Sequence, residues 1–112
     1  MSEEPRLKTL SERTESAHER VQQAREDINP MVGLRSGMRQ AGIPADALTI
    51  DCLQTGRRIL LVLHDHQPEH VLYQFTTLER EMEDDWEQLP FSAATTEQLF
   101  DWMVEYFSDS ER

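Results

Sequence analysis

The chain reads as an α+β domain in which N-terminal helices lead into a three-stranded antiparallel meander and a C-terminal helix packs on one sheet face. Three features carry that expectation. Apolar residues recur three and four positions apart before the first internal proline break, aliphatic and aromatic runs punctuated by turn residues occupy 47–75, and helical spacing returns near the C-terminus. The 112 residues fit a single domain, 1–112, with one modest core.

From Leu7 a stripe runs through Leu10, Thr14, Ala17, Val21, Ala24 and Ile28, which predicts a helical arm over about 6–28. Its members are mostly small, so a helix lying on another part of the fold is expected ahead of a self-sufficient coiled coil. A dimer-forming arm and a mobile acidic arm are the other placements this composition leaves open. Pro30 ends or kinks this helix, because proline lacks an amide proton and restricts the residue before it. Met31, Leu34, Met38 and Ala41 continue the spacing and predict a second short helix, stopped at Gly42 and Pro44.

The period then changes, and strands are predicted at about 47–54, 57–64 and 70–75. A two-residue turn with Gly56 at positive φ would pair Gln54 with Arg57, Cys52 with Ile59, Ile50 with Leu61 and Leu48 with Leu63. In the second hairpin, pairing His64 with His70 sets Val62 opposite Leu72, Leu61 opposite Tyr73 and Ile59 opposite Phe75. Parity then gives an apolar first face, with Leu48, Ile50, Cys52, Ile59, Leu61, Leu63, Val71, Tyr73 and Phe75. The second face is only half apolar, and would expose Leu53, Leu60, Val62 and Leu72 unless the N-terminal helices or another chain cover it.

Beyond the sheet, Thr76 and Glu79 have capping-box spacing and introduce a helix over about 77–88, although alternation through Met82 and Trp86 also suits a fourth strand. Thr95 with Gln98 starts the C-terminal helix, whose stripe of Leu99, Trp102, Met103 and Tyr106 is broadened by Phe100 and Phe107. This helix is expected to cover the first sheet face, each buried aromatic contributing roughly 1.5–3 kcal/mol.

With 22 acidic and 11 basic residues the net charge is −11, which repels nucleic-acid phosphates and anionic lipid, so neither is expected as a direct partner. No apolar run approaches the ~20 residues needed to cross a bilayer. A charged N-terminus without an apolar signal core and a single cysteine, Cys52, lead to the expectation of a cytoplasmic protein. Ten arginines against one lysine suggest a GC-rich bacterial source.

The stretch LHDHQPEHVL brings His64, His66 and His70 together with Asp65 and Glu69. Cross-strand histidines on one face could share a Zn²⁺ ion or respond to protonation, yet Pro and acids in the connecting loop also describe an ordinary polar turn, which is the preferred reading. No other metal or cofactor is implied. Cys52 falls mid-strand on the apolar face, where a thiol acts as a small hydrophobe, and no nucleophile-elbow or phosphate-loop spacing occurs, so an enzyme is unsupported.

Arg57 and Arg58 form the only adjacent basic pair and are candidates for holding a partner's carboxylate or phosphate. In EREMEDDWEQL, Met82 and Trp86 stand among six carboxylates, so Met82 and Trp86 are candidate apolar anchors, with Asp84 and Asp85 steering a basic partner. The sequence therefore leads to a small acidic, non-catalytic protein-binding domain of adaptor, chaperone-like or regulatory kind, expected as a homodimer. A metal- or pH-responsive regulator built on the hairpin histidines and an acidic nucleic-acid mimic that occupies a basic protein are the alternatives.

Overall fold

The apolar runs on either side of Gly56 form the middle of a sheet, and the continuous run Ile59–Leu63 suits a strand buried on both faces. In the computed structural model, which describes residues 5–24, 30–35, 40–77 and 86–107, the elements follow in the order α1 (Pro5–Ala24), β1 (Met31–Arg35), β2 (Ala45–Cys52), β3 (Arg57–His64), β4 (His70–Thr77), β5 (Glu87–Pro90), a short 3-10 turn (Phe91–Ala93) and α2 (Thr96–Phe107). All neighbouring strands are antiparallel, and the sheet has five of them in the order β1-β2-β3-β4-β5. The three-stranded meander anticipated from sequence is its centre, extended by one strand on each side.

The β3–β4 register is the expected one, with Ile59 opposite Phe75, Leu61 opposite Tyr73 and Val62 opposite Leu72. The β2–β3 register differs. Cys52 faces Arg57, Ile50 faces Ile59 and Leu48 faces Leu61, because the turn takes residues 53–56 instead of two. Gly56, at φ 73°, donates its N–H to Cys52 O at 2.8 Å, closing a wider turn than the expected two-residue one. The shift is two residues, so every side chain keeps its face.

Two helical expectations are corrected. Residues 31–35 form an edge strand, not a second helix, paired with β2 from Met31 opposite Asp51 to Arg35 opposite Ala47. Gly33 suits that place, since a Cβ there would lie 3.3 Å from Thr49 Oγ1, whereas glycine inside a helix costs about 1 kcal/mol. The helix expected over 77–88 does not reach its ends, because Thr77 belongs to β4 and Glu87 and Gln88 to β5; residues 78–85 lie outside those described. Thr76 is consequently a strand residue, with a buried hydroxyl that has no hydrogen-bond partner among the described residues, and not a helix cap.

Both helices pack on the first sheet face. From α1 come Leu10, Thr14, Ala17 and Val21, from α2 Leu99, Met103 and Phe107, and all are buried against Leu48, Ile50, Cys52, Ile59, Leu61, Leu63 and Val71. Thr14 fits this apolar seam because its hydroxyl donates to Leu10 O at 2.7 Å, leaving the buried oxygen satisfied. Thr95 Oγ1 accepts the Gln98 N–H at 3.1 Å and caps α2, as the sequence spacing requires.

The second face is buried too. Ala45, Ala47 and Val62 form a small cluster on which Leu72 and Trp86 pack, and Thr49, Leu60 and Gln74 are also shielded from solvent. Trp86 stands just before β5, with Gln88 opposite Leu72, so alternation carries its ring to this side. Of the residues that sequence alone left bare here, Leu60 and Val62 are covered, and Leu53 in the turn is 63% exposed. That burial removes the packing argument for a second copy. No helix among the described residues is long and apolar enough to cross a membrane.

Candidate functional site

Alternation along β4 sends Tyr73 and Phe75 to the helix side of the sheet, and the i, i+4 spacing of Trp102 and Tyr106 brings both rings of α2 to the same place. The four rings interlock. Centroids lie 4.6 Å apart for Tyr73 and Trp102, 5.4 Å for Phe75 and Trp102 and 5.0 Å for Phe75 and Tyr106, with Phe75 and Trp102 crossing at 89°. Tyr106 is fixed at both ends. Its hydroxyl donates to Thr76 O at 2.7 Å, and Arg57 donates from Nη1 to Tyr106 O at 2.6 Å with its guanidinium 5.4 Å from the ring centre.

This cluster is not closed over. Phe75 remains 42% exposed, Tyr73, Trp102 and Tyr106 are half-buried, and an open groove of about 260 Å³ is lined by Phe75, Trp102, Tyr106 and Glu105. Glu97, Asp101 and Glu105, all exposed, follow one another four residues apart along α2, which sets them on one line of the helix beside Trp102 and Tyr106. An aromatic floor thus meets an acidic edge. Such a surface can hold apolar or cationic groups by contact and charge.

The residues singled out from sequence are dispersed. Arg58 donates to both oxygens of Asp51, at 2.7 and 3.0 Å, and this charged hydrogen bond holds the guanidinium pKa above its ordinary value. Arg57 is committed to Tyr106. Both arginines make contacts within the chain, a cross-strand and strand-to-helix role that sequence adjacency alone does not reveal. Trp86 covers the second sheet face, half-buried. Met82, Asp84 and Asp85 lie outside the described residues.

The histidines are at the β3–β4 turn. His64 Nδ1 accepts the His66 N–H at 3.2 Å, and the two rings are 5.1 Å apart. His64 and His70 are half-buried and His66 is exposed. Arg6 of α1 donates to His64 O and Gln67 O at 3.3 and 3.2 Å, tying the turn down from below. His70 borders a second open concavity of about 470 Å³ with Pro68, Glu69, Pro90, Phe91 and Ser92. Among the described residues no group of three or more His, Cys, Asp or Glu is arranged to hold a metal ion. Cys52 is a buried free thiol in the core.

Spacing alone places Phe75 on the apolar sheet face and Trp102 and Tyr106 on the stripe of α2 that covers it. A signal to the contrary was present. Leu99, Met103 and Phe107 already fill one buried line of α2, and each of Trp102 and Tyr106 follows directly on an acid, Asp101 or Glu105, which places those rings at the margin of the buried stripe. Compared with protein-family models, with curated proteins and with solved structures, the chain matches none.

Proposed function

We propose that this chain is a non-catalytic protein-binding domain that docks its partner on the aromatic groove between β4 and α2. The observation that carries the reading is Phe75, a large apolar ring 42% exposed in the middle of an ordered aromatic cluster and beside a line of carboxylates. Aromatic rings at a concave, acid-rimmed site supply contact area at low entropic cost, and the surrounding negative charge accelerates encounter with a positively charged surface. Trp86 is replaced as the anchor by Phe75 and Trp102, because Trp86 spends its contact area on Ala45, Ala47 and Val62 of its own chain. The setting proposed with this role is the bacterial cytoplasm, on the grounds of the acidic composition, the arginine bias and the single cysteine.

The test is site-directed photocrosslinking in cells, with a benzophenone amino acid at position 75 and, as a control, at exposed Leu53 in the β2–β3 turn. The reading expects a discrete heterologous adduct from position 75 that is absent from position 53 and disappears in the Trp102→Ala background. Adducts of equal yield from both positions, or none from position 75, would overturn it.

A further inference from the structure

The chemistry of the groove specifies more than an apolar partner. Resting on the protein-binding reading above, we propose that the groove lined by Phe75, Trp102, Tyr106 and Glu105 receives an arginine side chain of the partner protein. Three properties of the site point to a guanidinium. Phe75 and Trp102 cross at 89° and Tyr106 lies at 45° to Phe75, so π faces and edges of three rings border one concavity, and a cation is attracted to the faces by the ring quadrupole. Glu105 lines the same concavity, with Asp101 one turn before it and Glu97 two turns before it on the exposed side of α2, giving the planar fork a carboxylate to meet after it has stacked. Third, among the described residues the chain already builds this contact for itself three times: Arg13 lies 4.8 Å from the Phe91 ring centre, Arg20 4.7 Å from that of Phe100, and Arg57 5.4 Å from that of Tyr106.

The Arg57 contact bears directly on the site. Its guanidinium and that of Arg20 over Phe100 place two positive charges near α2, against the three carboxylates of Glu97, Asp101 and Glu105, so among the described residues the balance along this helix stays negative. The net charge of −11 acts in the same direction over longer distance and favours a basic segment over an acidic or neutral one. Lysine is the weaker fit, because its compact and strongly hydrated ammonium neither stacks nor forks.

The experiment is a titration of the ¹⁵N-labelled full chain with a short capped peptide of alternating arginine and leucine, followed by amide and indole shifts. A matched peptide in which citrulline replaces arginine keeps the planar shape but exchanges one NH₂ donor of the fork for a carbonyl oxygen and lacks the charge. The inference expects saturable shifts centred on Phe75, Thr76, the Trp102 indole, Glu105 and Tyr106, with about tenfold weaker binding of the citrulline peptide. Phe75→Ala is expected to abolish saturation, and Glu105→Gln to weaken binding about threefold. Each variant is checked for a native-like spectrum first. Equal affinity for the two peptides would overturn the arginine claim while leaving an apolar docking groove intact. Shifts spread evenly over the acidic surface, or no saturable binding of either peptide, would overturn the site itself, and the crosslinking experiment at position 75 then decides separately whether a protein partner uses it.

Discussion

Trp86 and Trp102 are both half-buried, and both stand beside small clusters of neighbours, yet they differ in what surrounds them. Trp86 lies over Ala45, Ala47 and Val62 on the second face, where three short side chains leave room for one large ring. Trp102 lies on the helix side against Tyr73 and Phe75, rings that are themselves incompletely covered, with Asp101 and Glu105 on the solvent side. One tryptophan fills a depression in its own chain. The other forms part of a depression that remains open. An indole's fractional burial therefore says little about its role, whereas the size and polarity of its neighbours separate a covering residue from a receiving surface.

Removing each ring should separate the two roles. Trp86→Ala is expected to have the larger effect on stability, about 2 kcal/mol in denaturant unfolding, below the range for a fully buried aromatic because the ring is only partly enclosed. Its effect on arginine-peptide affinity should be negligible. Trp102→Ala is expected to cost about 1 kcal/mol of stability, since its ring partners can still pack on one another, and to eliminate peptide binding. If the two variants exchanged these phenotypes, the second face would be the docking surface.

Asp51→Asn sharpens the comparison from a place near neither tryptophan. It leaves Arg58 without its bidentate carboxylate on the second face, and a loss of about 1 kcal/mol is expected for a partly buried pair, with peptide affinity unchanged. The sign of the pH dependence follows from the raised pKa of Arg58. A basic group whose pKa is raised by folding contributes its full stability below its unfolded value and loses it only as pH rises through the folded one. Both values lie far above neutrality, so this guanidinium adds no slope to a stability profile measured across the neutral range. A slope there that disappears in the Asp51→Asn variant would contradict the assignment.

What the sequence disclosed and what it hid follow one physical rule. The β3–β4 register is legible because the polar turn between His64 and His70 sets the pairing, and a one-residue slip would exchange the two faces of the strand. The α1 seam and the Thr95 cap of α2 were legible because helical spacing and capping are local. The strand at Met31–Arg35 was not, since five residues with an internal glycine owe their conformation to the ladder with β2, whose partners run from Ala47 opposite Arg35 to Asp51 opposite Met31. Glu87–Pro90, a four-residue edge strand ending in proline, is legible only in part, through the alternation by which Met82 and Trp86 also suit a fourth strand. The candidate site fell between these cases. Phe75, Trp102 and Tyr106 could be placed on the correct side of the sheet, but their openness depends on how far Leu99, Met103 and Phe107 sink into the core, which spacing does not encode.

The most direct measurement replaces both tryptophans with 5-fluorotryptophan and follows the two ¹⁹F resonances during titration with the arginine–leucine peptide, assigning each by its loss in the Trp86→Phe or Trp102→Phe variant. The account predicts that the Trp102 resonance moves with saturation while the Trp86 resonance holds its position. Movement of Trp86 with Trp102 unmoved would contradict it.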